Sequence, residues 1–229
     1  MNVLGRNISA SILGVALVTP VVSMNVFAAP VSEQQATQNL VKQLTGLHSF
    51  SANFTQTTKA NGQKPVQKKG LSSQHLNQTF QGVMKVARPG KFFWETTSPS
   101  KQTIVTSGKT VWIYDPDLQQ AVRQNLSDQV ANTPALLLSG NTSQIMQSYR
   151  VTQPDSSKTY YTLTPKAKDS AFLNLTMSFA ANGTPSLMIL NDSLGQTTTV
   201  KFSQVNKNAS IPAATFNFTP PKGTDIIDQ

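Results

Sequence analysis

Arg88-Pro89-Gly90-Lys91-Phe92-Phe93-Trp94 joins a basic residue and a Pro-Gly pair directly to three aromatic residues. Its Pro-Gly pair is suited to a tight turn, and the three aromatic residues that follow are typical of a β-strand. A strand that begins at residue 91 sends Phe92 and Trp94 to one face and Phe93 to the other, because side chains alternate along a strand. We therefore predict a turn at 88–90 and an apolar strand face directly after it.

Short strands with turn signals between them surround this stretch. Pro89-Gly90, Ser98-Pro99, Ser107-Gly108 and Asp115-Pro116-Asp117 are residue types suited to tight bends. Such close spacing predicts an antiparallel meander. Its expected strands are 79–87, 91–97, 101–106, 110–115 and 119–125.

The rest of the chain extends the sheet in both directions. Towards the N-terminus, Phe50, Ala52 and Phe54 alternate with polar residues, and Ser32 with Gln35 begins an amphipathic helix that reaches 46–47. Towards the C-terminus, the expected strands are 149–152, 160–164, 171–179, 187–190 and 197–205, with a hairpin turn at Asn182-Gly183. The pattern predicts a mainly β protein with a few helices, in which ten or eleven antiparallel strands form one strongly curved sheet.

A short apolar segment interrupts the strands at Asn132-Thr133-Pro134-Ala135-Leu136-Leu137-Leu138-Ser139-Gly140. Thr133 can cap a helix, Pro134 suits its first position and Gly140 can end it. A helix this short is unstable alone in water, so we expect it to lie on another apolar surface, over the concave face of the sheet.

The first 28 residues have the pattern of a signal peptide, with Arg6 before an apolar run at 8–22 and Val26-Phe27-Ala28 before the expected cleavage site. A membrane anchor is the alternative, but polar residues and Pro20 interrupt the run before the roughly 20 apolar residues that a span needs. Residues 29–229 are then expected to form a single domain.

The chemistry of an enzyme is missing from the sequence. The chain has no Cys and two His, His48 and His75, and its carboxylates fall mostly in turns, with no pair at a defensible acid-base spacing. The formal charge of +9, or +8 without Arg6, suggests anionic partners. The export signal and the scattered lysines disfavour nucleic acid. We predict no catalytic residues, no cofactor and no metal.

Apolar side chains are instead in surplus. Several expected strands are apolar on both faces, as at Val111-Trp112-Ile113-Tyr114 and Leu187-Met188-Ile189-Leu190. One face can pack the core, and the other needs a cover or a ligand. A filled interior is one interpretation. The flexible Met84, Met146, Met177 and Met188, together with the apolar helix, favour an adaptable apolar pocket.

An ordered set of segments resembles the LolA family of periplasmic lipoprotein carriers. Each segment is weakly specific by itself, but they occur in order over nearly all of residues 29–229. They are FSANFTQ at 50–56, Arg88-Pro89 through Phe92-Phe93-Trp94, SGKTVWIYDP at 107–116, NTP at 132–134, LTPK at 163–166 and FNFTPPKG at 216–223.

The resemblance implies an unclosed β-barrel with a helical lid over a hydrophobic cavity. It implies a periplasmic protein, expected to be a monomer, that takes acylated lipoproteins from an inner-membrane ABC transporter and hands them to an outer-membrane receptor. Arg88 matches the family's latch arginine, which bonds the lid backbone, and Phe92 matches a functional aromatic. The expected cavity and lid residues are Phe50, Ala52, Phe54, Met84, Phe92, Trp94, Leu136, Leu137 and Leu138.

The sequence departs from the family pattern at two places, and two alternative functions stay open. The polar, basic loop at 59–78 is longer than the family suggests, and the short C-terminal end predicts that a terminal strand is absent. A related protein that binds lipid or senses lipoproteins is one alternative. A periplasmic enzyme on a similar scaffold is the other, and it would require a His or carboxylate pair inside the pocket.

Overall fold

The computed structural model describes residues 31–60, 77–107, 109–125 and 134–229. The predicted signal peptide, His75, most of the 59–78 loop and the Asn132-Thr133 pair lie outside these ranges. The helices are α1 (Glu33–Thr45), α2 (Thr142–Ser148) and two 3₁₀ helices, Pro134–Leu138, hereafter the apolar helix, and Ala213–Phe216. The strands are β1 (Ser49–Ala60), β2 (Thr79–Ala87), β3 (Lys91–Ser98), β4 (Gln102–Ser107), β5 (Thr110–Asp115), β6 (Gln120–Asn125), β7 (Tyr149–Thr152), β8 (Tyr160–Pro165), β9 (Phe172–Phe179), β10 (Pro185–Asp192), β11 (Gln196–Lys207) and β12 (Asp225–Asp228).

All twelve of these strands belong to one sheet, in the order β12-β6-β5-β4-β3-β2-β1-β11-β10-β9-β8-β7. Strand β1 lies in the middle, with β2 to β6 and β12 on one side and β7 to β11 on the other. The two edge strands, β12 and β7, are not neighbours in this order, so the curved sheet stays open. The predicted fold class is confirmed, with twelve strands rather than ten or eleven.

The central strands bring their apolar residues to one face. Phe50 lies opposite Val86, which in turn lies opposite Phe92, while Met84 lies between Ala52 and Trp94. The two-residue period of a strand keeps such partners on the same side of the sheet. This face carries the main apolar core.

Helix α1 covers part of that core. Its first turn is capped as predicted, since the Ser32 hydroxyl oxygen accepts a hydrogen bond from the Gln35 backbone N–H. Ala36, Leu40 and Leu44 recur at helical spacing and are buried in the core cluster. The helix packs against β7, at the open edge of the sheet.

The opposite face of β4 and β5 is covered by the C-terminal segment of the same chain. The Phe218 ring lies 5.7 Å from that of Trp112 and 5.5 Å from that of Tyr114, between ring centroids. Phe216 is buried against the same region, beside Val105. The second apolar face of these strands therefore has a cover of protein.

The structure corrects two expectations. A terminal strand is present, because β12 pairs in parallel with β6, and Arg123 on β6 forms a bidentate ion pair with Asp228 at 2.6 and 2.8 Å. Helix α2 was missed from the sequence, and it places Met146 on the exposed surface, whereas Met84, Met177 and Met188 are buried.

Candidate functional site

The nine residues expected to line the cavity and its lid lie in a single buried cluster. Their exposed fractions range from 0 to 7%. Strands β1, β2 and β3 contribute six of them, and the apolar helix contributes the three leucines. The residues are Phe50, Ala52, Phe54, Met84, Phe92, Trp94, Leu136, Leu137 and Leu138. In this structure the interior is thus closed upon itself, with the apolar helix as part of it.

A stack of aromatic rings forms the floor of the cluster. The rings of Phe54 and Trp94 lie 3.5 Å apart between centroids at an angle of 20°, and Phe92 extends the stack at 6.1 Å from Trp94. Gly82, opposite Phe54, allows this approach. A Cβ at that position would lie 1.9 Å from the Glu95 carbonyl oxygen and 2.8 Å from the Phe54 ring. The glycine lets the ring lie directly against the sheet.

The apolar helix has no polar face. All five of its residues, Pro134–Leu138, are buried. A helix of five residues gains too little from its own hydrogen bonds to persist in water, so it depends on the surface beneath it. Any movement of this helix away from the sheet exposes its leucines and the cluster together.

Arg88 holds the end of this helix. Its Nη1 donates a hydrogen bond to the Leu138 carbonyl oxygen and its Nη2 donates one to the Gly140 carbonyl oxygen, each at 2.6 Å. The last carbonyls of a helix lack partners within the helix, and the rigid fork of a guanidinium can satisfy two at once. The resemblance predicts a latch at this arginine and a lid at this segment, and in the structure the two are in contact.

The same turn provides a third bond that the sequence did not reveal. The Gly90 backbone N–H donates to the Ser139 carbonyl oxygen at 2.8 Å, so residues 88–90 bind three successive carbonyls. Gly90 has φ of 73°, a conformation that favours glycine. The Thr106 hydroxyl on β4 donates to the Gly90 carbonyl oxygen at 2.9 Å, which fixes the turn to the sheet.

The charge of Arg88 is balanced by these carbonyls alone among the described residues. The side chain is half-buried and forms no ion pair within the described ranges. Desolvation by burial lowers the pKa of Arg88 from its ordinary value, because it penalises the charged form. An arginine remains charged at physiological pH even so. The site can therefore hold a helix end with a charge that persists at neutral pH.

In the described part of the chain, no three or more His, Cys, Asp or Glu side chains are grouped so that they could hold a metal ion. Within the same ranges, no helix is long and apolar enough to cross a membrane. His48 is exposed, and only its carbonyl oxygen takes part at the turn, accepting from the Arg88 backbone N–H at 2.8 Å.

Comparison with known proteins gives a consistent family. The sequence model described as "Outer membrane lipoprotein carrier protein LolA" matches residues 45–219. An outer-membrane lipoprotein carrier protein of Hahella chejuensis is 43% identical over 189 residues, which are 81% of this chain and 85% of the relative. One from Pseudomonas fluorescens is 37% identical over 216 residues, 94% of this chain and 98% of the relative.

Among solved structures, a LolA superfamily protein from Nitrosomonas europaea aligns over 82% of this chain and 98% of its own, with 14% identity and a TM-score of 0.49. The sequence relatives are much nearer, and their names describe carriers rather than enzymes. The match to the family model over most of the chain and the identities above 30% show that this chain belongs to the LolA family of outer-membrane lipoprotein carrier proteins.

Proposed function

We propose that this protein is a non-enzymatic periplasmic carrier that shields the acyl chains of lipoproteins inside its apolar interior. It takes them from an inner-membrane ABC transporter and transfers them to an outer-membrane receptor. Residues 1–28 direct export and are removed, and residues 29–229 form the single carrier domain, which acts as a monomer. Family membership and the names of the relatives support the lipoprotein cargo.

One observation carries the proposal. A helix with five buried apolar residues closes an aromatic-lined interior, and polar bonds from Arg88 and Gly90 fasten it at one end. In the proposed carrier the apolar helix acts as a lid and Arg88 as its latch.

The physical need for such an interior follows from the cargo. Each methylene moved into water costs about 0.8 kcal/mol, so one long acyl chain costs on the order of 10 kcal/mol. Free diffusion through an aqueous compartment is negligible at that cost. A carrier that closes when empty also hides its own apolar surface, which would otherwise promote aggregation.

Transfer can be measured with spheroplasts that synthesise a radiolabelled lipoprotein. The purified protein is expected to release the acylated lipoprotein into the soluble fraction and to pass it to outer-membrane vesicles. A variant lipoprotein without its acylated cysteine is the matched control and should not require the carrier. Release of both lipoproteins to the same extent, with or without the protein, would contradict the proposal.

Arg88→Leu tests the latch in the same assay. We expect this variant to keep its fold and to accept the lipoprotein, but to pass it on poorly, because the open state is no longer disfavoured. Lys91→Leu, at an exposed position three residues later, is the control for loss of one positive charge. Normal transfer by Arg88→Leu would remove Arg88 from the mechanism.

Depletion of the protein separates a carrier from a sensor of lipoproteins. In cells that lose a carrier, lipoproteins accumulate at the inner membrane. Loss of a sensor changes a signalling response and leaves their sorting intact. Fractionation of the two membranes after depletion distinguishes these outcomes.

A further inference from the structure

An open polar pocket of about 460 Å³ lies outside the apolar interior. It is formed by the outer side of α1, the β7–β8 loop, the β9–β10 turn and the end of β11. Each of three different elements contributes one lysine to its lining: Lys42 from α1, Lys158 from the β7–β8 loop and Lys207 from β11. Among the described residues, none that lines the pocket is acidic. The pocket thus combines concave shape with a concentration of positive charge.

The amide groups of the lining are mostly bonded within the protein, and the nitrogens of Asn39, Gln43 and Gln153 donate there. Three of its side-chain amide oxygens already accept hydrogen bonds within the protein: Asn39 from Gln35, Gln153 from Asn39, and Asn182 from Thr184. Because Thr184 occupies the amide oxygen of Asn182, the amide nitrogen of Asn182 is the atom that can donate to a ligand. A ligand that accepts hydrogen bonds and carries negative charge fits this lining.

No close ion pair joins any of the three ammonium groups to a residue in the described ranges, although the Asp155 carboxylate interacts with Lys158 electrostatically at longer range. The Lys207 Nζ only approaches the Asn182 carbonyl oxygen, at 3.4 Å. The lysines therefore keep their capacity to bind an anion.

Two features oppose an anion here. The negative end of the α1 dipole points towards this region, since Gly46 at the end of the helix lines the pocket. Asp155 lies near Lys158, and hydrogen bonds from Ser157 lower the pKa of its carboxyl group, which keeps it charged. Three full positive charges outweigh one carboxylate and the partial charge of a helix end.

We propose that this pocket binds a phosphate-class anion, either a free phosphate or the phosphodiester headgroup of an anionic lipid. The bound anion joins α1 to the β7–β8 loop and to β11, through Lys42, Lys158 and Lys207. Because α1 buries Ala36, Leu40 and Leu44 in the interior, the anion also stabilises the packing of α1 on the sheet. This inference does not depend on the identity of the cargo.

The test uses a variant with two lysines replaced, Lys42→Gln with Lys207→Gln. The control replaces Lys101 and Lys201 by Gln, which removes the same charge at two exposed positions outside the pocket. Each full-length mature protein is titrated with sodium phosphate against sodium chloride of equal ionic strength. Thermal unfolding and hydrogen exchange of residues 33–45 are measured. Co-sedimentation is measured with vesicles of phosphatidylglycerol and phosphatidylcholine, and with phosphatidylcholine alone.

If free phosphate is the ligand, it raises Tm and slows exchange in α1 for the unmodified protein and the control, with about tenfold weaker binding by the pocket variant. If a lipid headgroup is the ligand, only vesicles with phosphatidylglycerol show that difference. If both variants lose binding equally, net charge alone explains the binding, and the proposal is overturned. Binding to neither phosphate nor vesicles overturns it as well.

Discussion

Replacement of Arg88 by Leu is the sharpest perturbation that the structure offers. It removes two charge-assisted hydrogen bonds of 2.6 Å to the Leu138 and Gly140 carbonyl oxygens and leaves the bond from the Gly90 N–H to Ser139 in place. The side chain is half-buried and forms no ion pair within the described ranges, so its loss acts mainly on the end of the apolar helix. We expect easier opening of that helix with little change in the sheet.

The magnitude follows from the bonds. Hydrogen bonds to charged groups contribute about 1.5–3 kcal/mol each, and solvent screening of a half-buried arginine reduces this to about 1 kcal/mol. Two such bonds give about 2 kcal/mol. The population of the open helix should then rise roughly 30-fold.

Hydrogen exchange measures this local opening. The Ser139 and Gly140 backbone N–H groups bond to the Leu136 and Leu137 carbonyl oxygens, so their exchange requires the helix end to open. In Arg88→Leu, a peptide covering 134–140 should exchange about 30-fold faster than in the unmodified protein. In Arg88→Lys, the exchange rate of this peptide should lie between those two rates. If Arg88→Leu exchanges no faster than Lys91→Leu, the guanidinium does not hold the helix and the reasoning is refuted.

Three further changes test the interior and the C-terminus. Trp94→Ala removes the ring stacked on Phe54 and should lower the free energy of unfolding by about 4 kcal/mol in urea titrations. Gly82→Ala should cost about 3 kcal/mol by the same measurement, because its Cβ would overlap the Glu95 carbonyl oxygen; an unchanged value would show that the sheet yields at no cost. The hydrogen bond from Arg123 lowers the pKa of Asp228 in the folded protein. The ion pair therefore stabilises the fold fully above the pKa of an unfolded Asp, about 3.9, and this stabilisation is lost as the pH falls through the lower pKa of the folded state. Exchange of residues 225–228, corrected for intrinsic rates, should therefore accelerate below about pH 4, and Asp228→Asn should remove that step.

The alternation of apolar and polar residues predicts the positions of most strands of the sheet. Strands β2, β5 and β7 have the predicted bounds, and at β5 turn residues stand at both ends of an apolar run. Strand β11 runs two residues beyond the predicted 205, to Lys207, because pairing with β1 extends it past its apolar residues. Local pattern thus located strands well wherever a buried face dictated the residue types.

Strand β12 and the Gly90 bond show what a sequence pattern cannot reveal. The four residues of β12 have no buried face, and their pairing with β6 is a long-range contact supported by Arg123 and Asp228. The bond from the Gly90 N–H to Ser139 uses main-chain atoms, which carry no residue identity. Helix α2 had a visible signal in Asn141, whose side chain accepts from the Ser143 N–H, but its seven residues lack an apolar stripe long enough to indicate a helix.

The energies of lid and cargo explain how one arginine can control transfer in the proposed carrier. Burial of the three lid leucines is worth roughly 6 kcal/mol at about 2 kcal/mol each, which is comparable with the 10 kcal/mol or so of one acyl chain. Cargo can therefore displace the lid, but with a surplus of only a few kcal/mol, so the two states remain near balance. The 2 kcal/mol or so from Arg88 is a large share of that surplus. Without it the loaded state is favoured and release slows, although Arg88 need not touch the acyl chain at all.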